Sequence, residues 1–245
     1  MKRMVMIGAT SAIAQAVARK LTNPEARFLL VGRNEARLAA IAADLETRGA
    51  AEVSSMVLDL CDICRHQEII EEAKTKLGDI DLVLIAHGTL PEQRQLERSN
   101  QATLQCLQEN ALSVISLATL FGNYFREVGR GCLIAISSVA GERGRQSNYV
   151  YGTAKAAVST FMQGLRNRLQ SKGVHVLTVK PGFVKTPMTA QFGKGPVWST
   201  PDAVADDIVR GINKKRDVIY SPFYWRYVML VIRIIPEAIF KRMKF

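Results

Sequence analysis

Val5-Met6-Ile7-Gly8-Ala9-Thr10-Ser11-Ala12-Ile13-Ala14 is the stretch on which the fold turns. The apolar run Val5 to Gly8 has the length of a buried strand, and beyond it Ile13, Val17 and Leu21 recur at helical spacing. Between the two lies a turn of small residues. Gly8 permits a tight bend, and Ala12 and Ala14 are the next smallest choice where a backbone must approach a ligand closely. The N–H groups opening such a helix suit a pyrophosphate, although a plain strand-to-helix turn has the same appearance.

The unit repeats along the chain. Phe28 to Val31, Val53 to Leu58, Leu82 to Ala86, Cys132 to Ser137 and Val174 to Val179 are short apolar runs without strict alternation, as strands covered on both faces should be. Helical spacing separates them, for example Leu38-Ile41-Leu45 and Ile69-Ala73-Leu77. This predicts a doubly wound α/β fold, a mostly parallel sheet of about seven strands with helices on both faces. Right-handed crossovers then place a ligand crevice at the carboxyl ends of the strands. No linker rich in Pro, Gly or Ser divides the 245 residues, so one domain is expected over 1–221. Its Gly- and Pro-containing segment at about 181–200 would serve as a lid, and 222–245 would form a basic aromatic tail of the same domain.

Charge narrows the partners. The chain carries 33 Lys and Arg against 22 Asp and Glu, a net +11. From Lys214 onward there are eight cationic side chains and two carboxylates, six of the eleven excess charges, so the basic balance is largely a tail property. A nucleic-acid binder would instead need a basic face on the folded body, and none is expected. The first apolar run is too short for a signal peptide or a membrane span. Four cysteines without disulfide-framework spacing point to a reducing, cytoplasmic setting.

The chemistry-bearing motif is Tyr151-Gly152-Thr153-Ala154-Lys155. Tyr and Lys four residues apart share a helix face, and a nearby ammonium favours phenolate, drawing the phenol from about 10 toward working pH as a general acid or base. Ser138 lies 13 residues upstream, after Ile136-Ser137, and Asn110 is expected to open the helix before that strand. With Gly8, Asp59-Leu60, Gly88 and Pro181-Gly182 followed by Thr186, these residues stand in an order and spacing that resemble the short-chain dehydrogenase/reductase family over nearly the whole chain.

The resemblance implies a Rossmann fold and an enzyme acting on CH-OH or C=O. Tyr151 would give a proton to a carbonyl oxygen, Ser138 would hydrogen-bond that oxygen, Lys155 would lower the Tyr pKa and bind the nicotinamide ribose, and Asn110 would position a water linking Lys155 to solvent. For the cofactor it implies Gly8, Thr10, Ser11, Ala12 and Ile13 at the pyrophosphate, Asp59 and Leu60 at the adenine, Ala86 and Gly88 along the cleft, Pro181, Val184 and Thr186 near the carboxamide, and Tyr151 and Lys155 again at the ribose. In Val31-Gly32-Arg33-Asn34, a glycine occupies the place of the acid that would accept from a free ribose 2′-OH, and Arg33 stands beside it. NADP(H) is therefore favoured over NAD(H), the alternative for Arg33 being a surface charge at a helix start. Ile85-Ala86-His87-Gly88 departs from the usual Asn-Asn-Ala-Gly, and His87 is expected to line the cleft without a catalytic role. Cys61-Asp62-Ile63-Cys64 with His66 has metal-like spacing but no second pair, so no metal is expected.

On the substrate side, the polar loop Gly141 to Asn148 suits a hydroxyl-rich or anionic substrate, with Arg143 and Arg145 as candidate phosphate contacts and Lys194 as a weaker one. In the tail, Tyr227 to Ile235 is too short to span a bilayer, and Arg226 and Arg233 flank or interrupt it. It fits either an interfacial helix on an anionic membrane or a segment folded over the lid or against another subunit. The tail also resembles, more loosely, family members that reduce a keto-sugar linked to a polyprenyl phosphate, as in cell-wall polysaccharide synthesis. That implies a lipid-linked carbonyl substrate at the inner face of the membrane. A soluble ketone, a 3-oxoacyl thioester and a non-catalytic NADP-binding regulator are the alternatives. The family also implies a homodimer or homotetramer built through the helices around Asn110 and Tyr151.

Overall fold

The computed structural model describes residues 2–190, 195 and 197–243. Seven strands form one sheet: β1 (Arg3–Ile7), β2 (Arg27–Gly32), β3 (Glu52–Val57), β4 (Leu82–Ile85), β5 (Gly131–Ile136), β6 (Val174–Pro181) and β7 (Val218–Ser221). Their order is β3-β2-β1-β4-β5-β6-β7 and every pairing is parallel. Six were legible as apolar runs. The seventh is a four-residue edge strand whose short Val-Ile-Tyr-Ser carries little signal.

Ten α-helices accompany the sheet among the described residues: α1 (Ala12–Leu21), α2 (Glu35–Thr47), α3 (His66–Leu77), α4 (Gln93–Glu97), α5 (Asn100–Leu107), α6 (Ser113–Val128), α7 (Tyr149–Leu169), α8 (Pro201–Asn213), α9 (Trp225–Ile234) and α10 (Glu237–Phe240). The period of two along each strand divides the core into two layers. Val5, Ile7, Leu29, Val83 and Leu133 meet apolar residues of α3, α6 and α7 on one face. Met4, Met6, Phe28, Leu84 and Ile134 meet those of α1, α2 and α8 on the other. No helix among the described residues is long and apolar enough to cross a membrane.

Asn110 does not open a helix. It sits in a π-helical turn, Gln108–Leu112, which joins α5 to α6 in one continuous helical run. Such a turn widens the backbone by one residue and commonly marks a functional position.

The strand order reverses between β1 and β4, where the chain, having wound outward to β3, crosses back. The ends of these strands, Ile7 and Ile85, are register partners, so the loops after them diverge and open the crevice.

Candidate active site

The crevice is a cleft of about 370 Å³ at the carboxyl ends of the strands. The β1–α1 turn forms one wall. Gly8 has φ +73°, and a side-chain carbon there would lie 2.6 Å from the His87 backbone nitrogen, so the turn admits only glycine. Ser11, at the N-cap of α1, makes no side-chain cap, leaving the first N–H groups of the helix toward the cleft.

All the residues expected at a cofactor line this one cleft: Gly8, Thr10, Ser11, Ala12, Ile13, Arg33, Asp59, Leu60, Ala86, Gly88, Tyr151, Lys155, Pro181, Val184 and Thr186. Asn110, Ser138 and Arg145 line it as well, whereas Lys194 lies outside the described residues. Arg37, which the sequence reading missed, also lines it. It stands one helical turn beyond Arg33, and the Arg-x-x-x-Arg spacing was the available signal. Both are exposed, and neither guanidinium has a carboxylate partner among the described residues. Asn34 between them caps α2 by accepting from the Arg37 N–H, fixing the helix start beside the cleft.

Tyr151 and Lys155 lie one turn apart on α7, facing the end of β5. The Lys155 ammonium donates to the Ile136 carbonyl at 3.1 Å and stands 5.6 Å from the Tyr151 ring centre. Ser138 begins a 3-10 turn, Val139–Glu142, that presses against α7. A side-chain carbon at Gly141 would lie 2.6 Å from the Ala156 nitrogen and the Lys155 carbonyl carbon, so the two backbones touch there. This contact brings the Ser138 hydroxyl, which accepts from the Ala140 N–H, near enough to the phenol to favour its ionised form.

The expected drop in the Tyr151 pKa is not what the site produces. Burial pushes the phenol up to about 12, with Ser138 offsetting only part. Burial also pushes the Lys155 ammonium down to about 8. Both shifts have one cause, since an enclosed site disfavours whichever form is charged. Tyr151 is thus a protonated phenol across neutral pH, fit to donate.

Asn110 is fully buried, and its carboxamide is committed to the protein. It accepts from the Thr89 N–H and donates to the Thr89 hydroxyl and the Cys106 carbonyl, so its side chain tethers the loop after β4. His87 is pushed down to about 3, chiefly by burial, and is neutral. Ser113 donates to the Leu60 carbonyl, so the 2.8 Å contact between His87 Nε2 and Ser113 is a donation from the ring. His66 is structural, with Nε2 on the Leu60 carbonyl and Nδ1 on the Ser116 hydroxyl. Among the described residues no three His, Cys, Asp or Glu side chains are grouped to hold a metal ion.

Arg143 is a correction. It does not line the cleft; its guanidinium donates to the carbonyls of Ile232 (2.7 Å), Arg233 (3.1 Å) and Ile235 (2.6 Å) and to Glu237 (2.9 Å). The last carbonyls of a helix lack intrahelical donors and carry partial negative charge, so Arg143 caps the end of α9. It also packs 3.8 Å over the Phe240 ring. The tail is thereby latched onto the body. Trp225 and Met229 bury against Val139, the Tyr224 hydroxyl donates to the Val197 carbonyl, and Trp225 becomes part of the cleft wall. Nothing in the spacing of the tail marked Trp225 as a site residue.

Comparison with known proteins agrees with this architecture. The chain is 32% identical over 240 residues to an uncharacterized oxidoreductase of Mycobacterium tuberculosis, covering 98% of this chain and 96% of that one. It is 33% identical over 243 residues to an uncharacterized oxidoreductase of Streptomyces coelicolor, covering 99% and 96%. Among solved structures, a short-chain dehydrogenase from Sphingobium yanoikuyae in complex with NADPH superposes with a TM-score of 0.81 at 22% identity, over 97% of this chain and 98% of that one. The short chain dehydrogenase family model matches residues 2–196, a span that holds the Gly8 turn, Asn110, Ser138, Tyr151 and Lys155 together. The chain therefore belongs to the short-chain dehydrogenase/reductase family, and is an oxidoreductase of that family.

Proposed function

We propose that the protein is an NADP(H)-dependent reductase converting a ketone to a secondary alcohol, or running the reverse. The observation that carries this reading is the meeting of Ser138, Tyr151 and Lys155 in the cleft that also holds the Gly8 turn. Tyr151 donates its proton to the carbonyl oxygen, and Ser138 hydrogen-bonds the same oxygen as charge develops on it. Lys155, held by the Ile136 carbonyl, keeps a cation beside the phenol. When bound, the nicotinamide supplies the hydride. Gly8 and the uncapped start of α1 suit its pyrophosphate, Asp59 and Leu60 its adenine, and Pro181, Val184 and Thr186 its carboxamide. A screen of ketones for NADPH oxidation tests the reading; silence across the screen, in protein that binds NADPH, would count against it.

The unpaired Arg33 and Arg37 at the ribose end support NADP(H), because a 2′-phosphate would meet two guanidinium groups. Replacing both with Ala is expected to weaken NADPH binding about 10- to 100-fold and to leave NADH nearly unchanged. Equal losses for the two cofactors in fluorescence titrations would overturn the preference.

For the substrate we propose a keto-sugar carried on a polyprenyl phosphate, met at the inner membrane face. Support comes from the outer face of α9, where Tyr227, Leu230, Val231 and Ile234 are exposed while Trp225 and Met229 on the inner face are buried. Arg226, Lys241 and Arg242 stand exposed on the same tail. An apolar stripe rimmed by cations suits an anionic lipid surface. The double variant Tyr227→Glu, Leu230→Glu is expected to lower binding to phosphatidylglycerol vesicles about tenfold or more. Unchanged sedimentation with vesicles would leave a soluble ketone or 3-oxoacyl thioester as the better substrate class.

Self-association through the α5–α7 face is part of the same proposal, supported by exposed Leu104, Leu112 and Tyr149. Leu104→Glu is expected to shift the protein toward monomer in analytical ultracentrifugation, and an unaltered mass would move the interface elsewhere.

A further inference from the structure

Arg143 and Arg145 are two residues apart and have opposite fates. Arg143 is saturated by three carbonyls and Glu237. Arg145 turns into the cleft, where no hydrogen bond or ion pair meets its guanidinium among the described residues, and its Nε is buried without a partner. The nearby carboxylates are committed elsewhere. Glu142 holds Lys180, the Tyr220 hydroxyl and Arg233, while Glu237 holds Arg143. On the other cleft walls, Glu109 accepts from Thr89 and Gln105, and Asp59 accepts from its own turn at the Cys61 N–H.

A half-buried guanidinium with no counter-charge is costly, and burial alone already lowers its pKa from the ordinary value. The neighbouring Asn148 repeats the pattern. It occupies the N-cap of α7 yet makes no side-chain cap, and its Oδ1 is buried without a partner at the same part of the cleft. A donor fork and an acceptor, on residues whose backbones are joined by the Asn148 N–H to the Arg145 carbonyl, thus line the cleft that holds Tyr151 unsatisfied by the protein.

We infer that Arg145 and Asn148 form the subsite that selects the carbonyl substrate, Arg145 pairing with an acidic group and Asn148 accepting from a hydroxyl. The substrate is then a hydroxylated carbonyl compound bearing a phosphate or a carboxylate. This rests on the reductase reading and adds the chemical class of the substrate to it. A guanidinium presents parallel N–H groups to either oxyanion.

The test is calorimetric titration of NADPH-loaded protein with phenyl phosphate, benzoate and neutral benzamide. The expected result is that at least one anion binds more tightly than benzamide. Arg145→Met should then lose about 10- to 100-fold for that anion with benzamide unchanged, and Arg145→Lys should recover part of the loss. Preference for phenyl phosphate assigns a phosphate-bearing substrate and preference for benzoate a keto acid; either outcome supports the subsite. Anion binding no tighter than benzamide, or equal in the wild type and Arg145→Met, overturns it. Failure of the wild type to bind NADPH would instead strike the reductase reading and is seen in the loading step, before any anion is added.

Discussion

Replacing Tyr151 with Phe is expected to lower carbonyl reduction about 1000-fold while changing NADPH affinity by no more than a few-fold. The ring remains and continues to fill the space beside Lys155, so the change removes one hydroxyl and little else. In the proposed reaction that hydroxyl is the proton donor, and burial holds it at about 12. Without it the oxygen formed from the carbonyl must take its proton from water, in a cleft built to limit water. Stopped-flow NADPH oxidation measures the loss, and a cofactor titration measures binding. Retention of a tenth or more of the wild-type rate would assign the proton to another donor.

Gly141→Ala should both destabilise the protein and impair the site. The added carbon would lie 2.6 Å from backbone atoms of Lys155 and Ala156, and backbone cannot rotate aside as a side chain would. Relief requires the Ser138–Glu142 turn to lift from α7, at a cost of about 2 kcal/mol. For a chain of this size that lowers Tm by roughly 4–8 °C. Lifting the turn also draws Ser138 away from Tyr151, so kcat should fall in the protein that remains folded at low temperature. Gly144→Ala is the control, because nothing lies within 4 Å of a side-chain carbon there. Equal melting temperatures for both variants would mean that the turn does not rest on α7 as described.

Much of the architecture was readable because each signal is local. Five strands are apolar runs covered on both faces, β3 being a half-exposed edge strand with two serines, and helices α1 to α3 show their buried stripe directly. The small residues after β1 follow from a bend at positive φ. Ser138, Tyr151 and Lys155 could be named because their spacing belongs to a recognisable motif. What escaped were features that depend on contacts between distant segments. Arg143 and Arg145 look alike in one polar loop, yet the loop turns one toward the carbonyl end of α9 and the other into the cleft. Asn110 was placed at a helix start, whereas a π-helical turn carries the helix through it.

The sign of the Tyr151 shift shows the same division. Proximity of a lysine is a property of i, i+4 spacing and argues for a lower pKa. Burial is a property of the assembled cleft and acts on both groups, raising the phenol and lowering the ammonium. The amino-acid sequence by itself determined the doubly wound sheet, the switch-point crevice and the identity of the catalytic candidates, since periodicity and motif spacing are written in neighbouring residues. Only the tertiary structure decided which arginine faces the cleft, that Trp225 of the tail walls it, and how its acids and bases are charged. Those outcomes depend on solvent exclusion and on partners more than 70 residues apart, such as Arg143 and the end of α9, which no local pattern encodes.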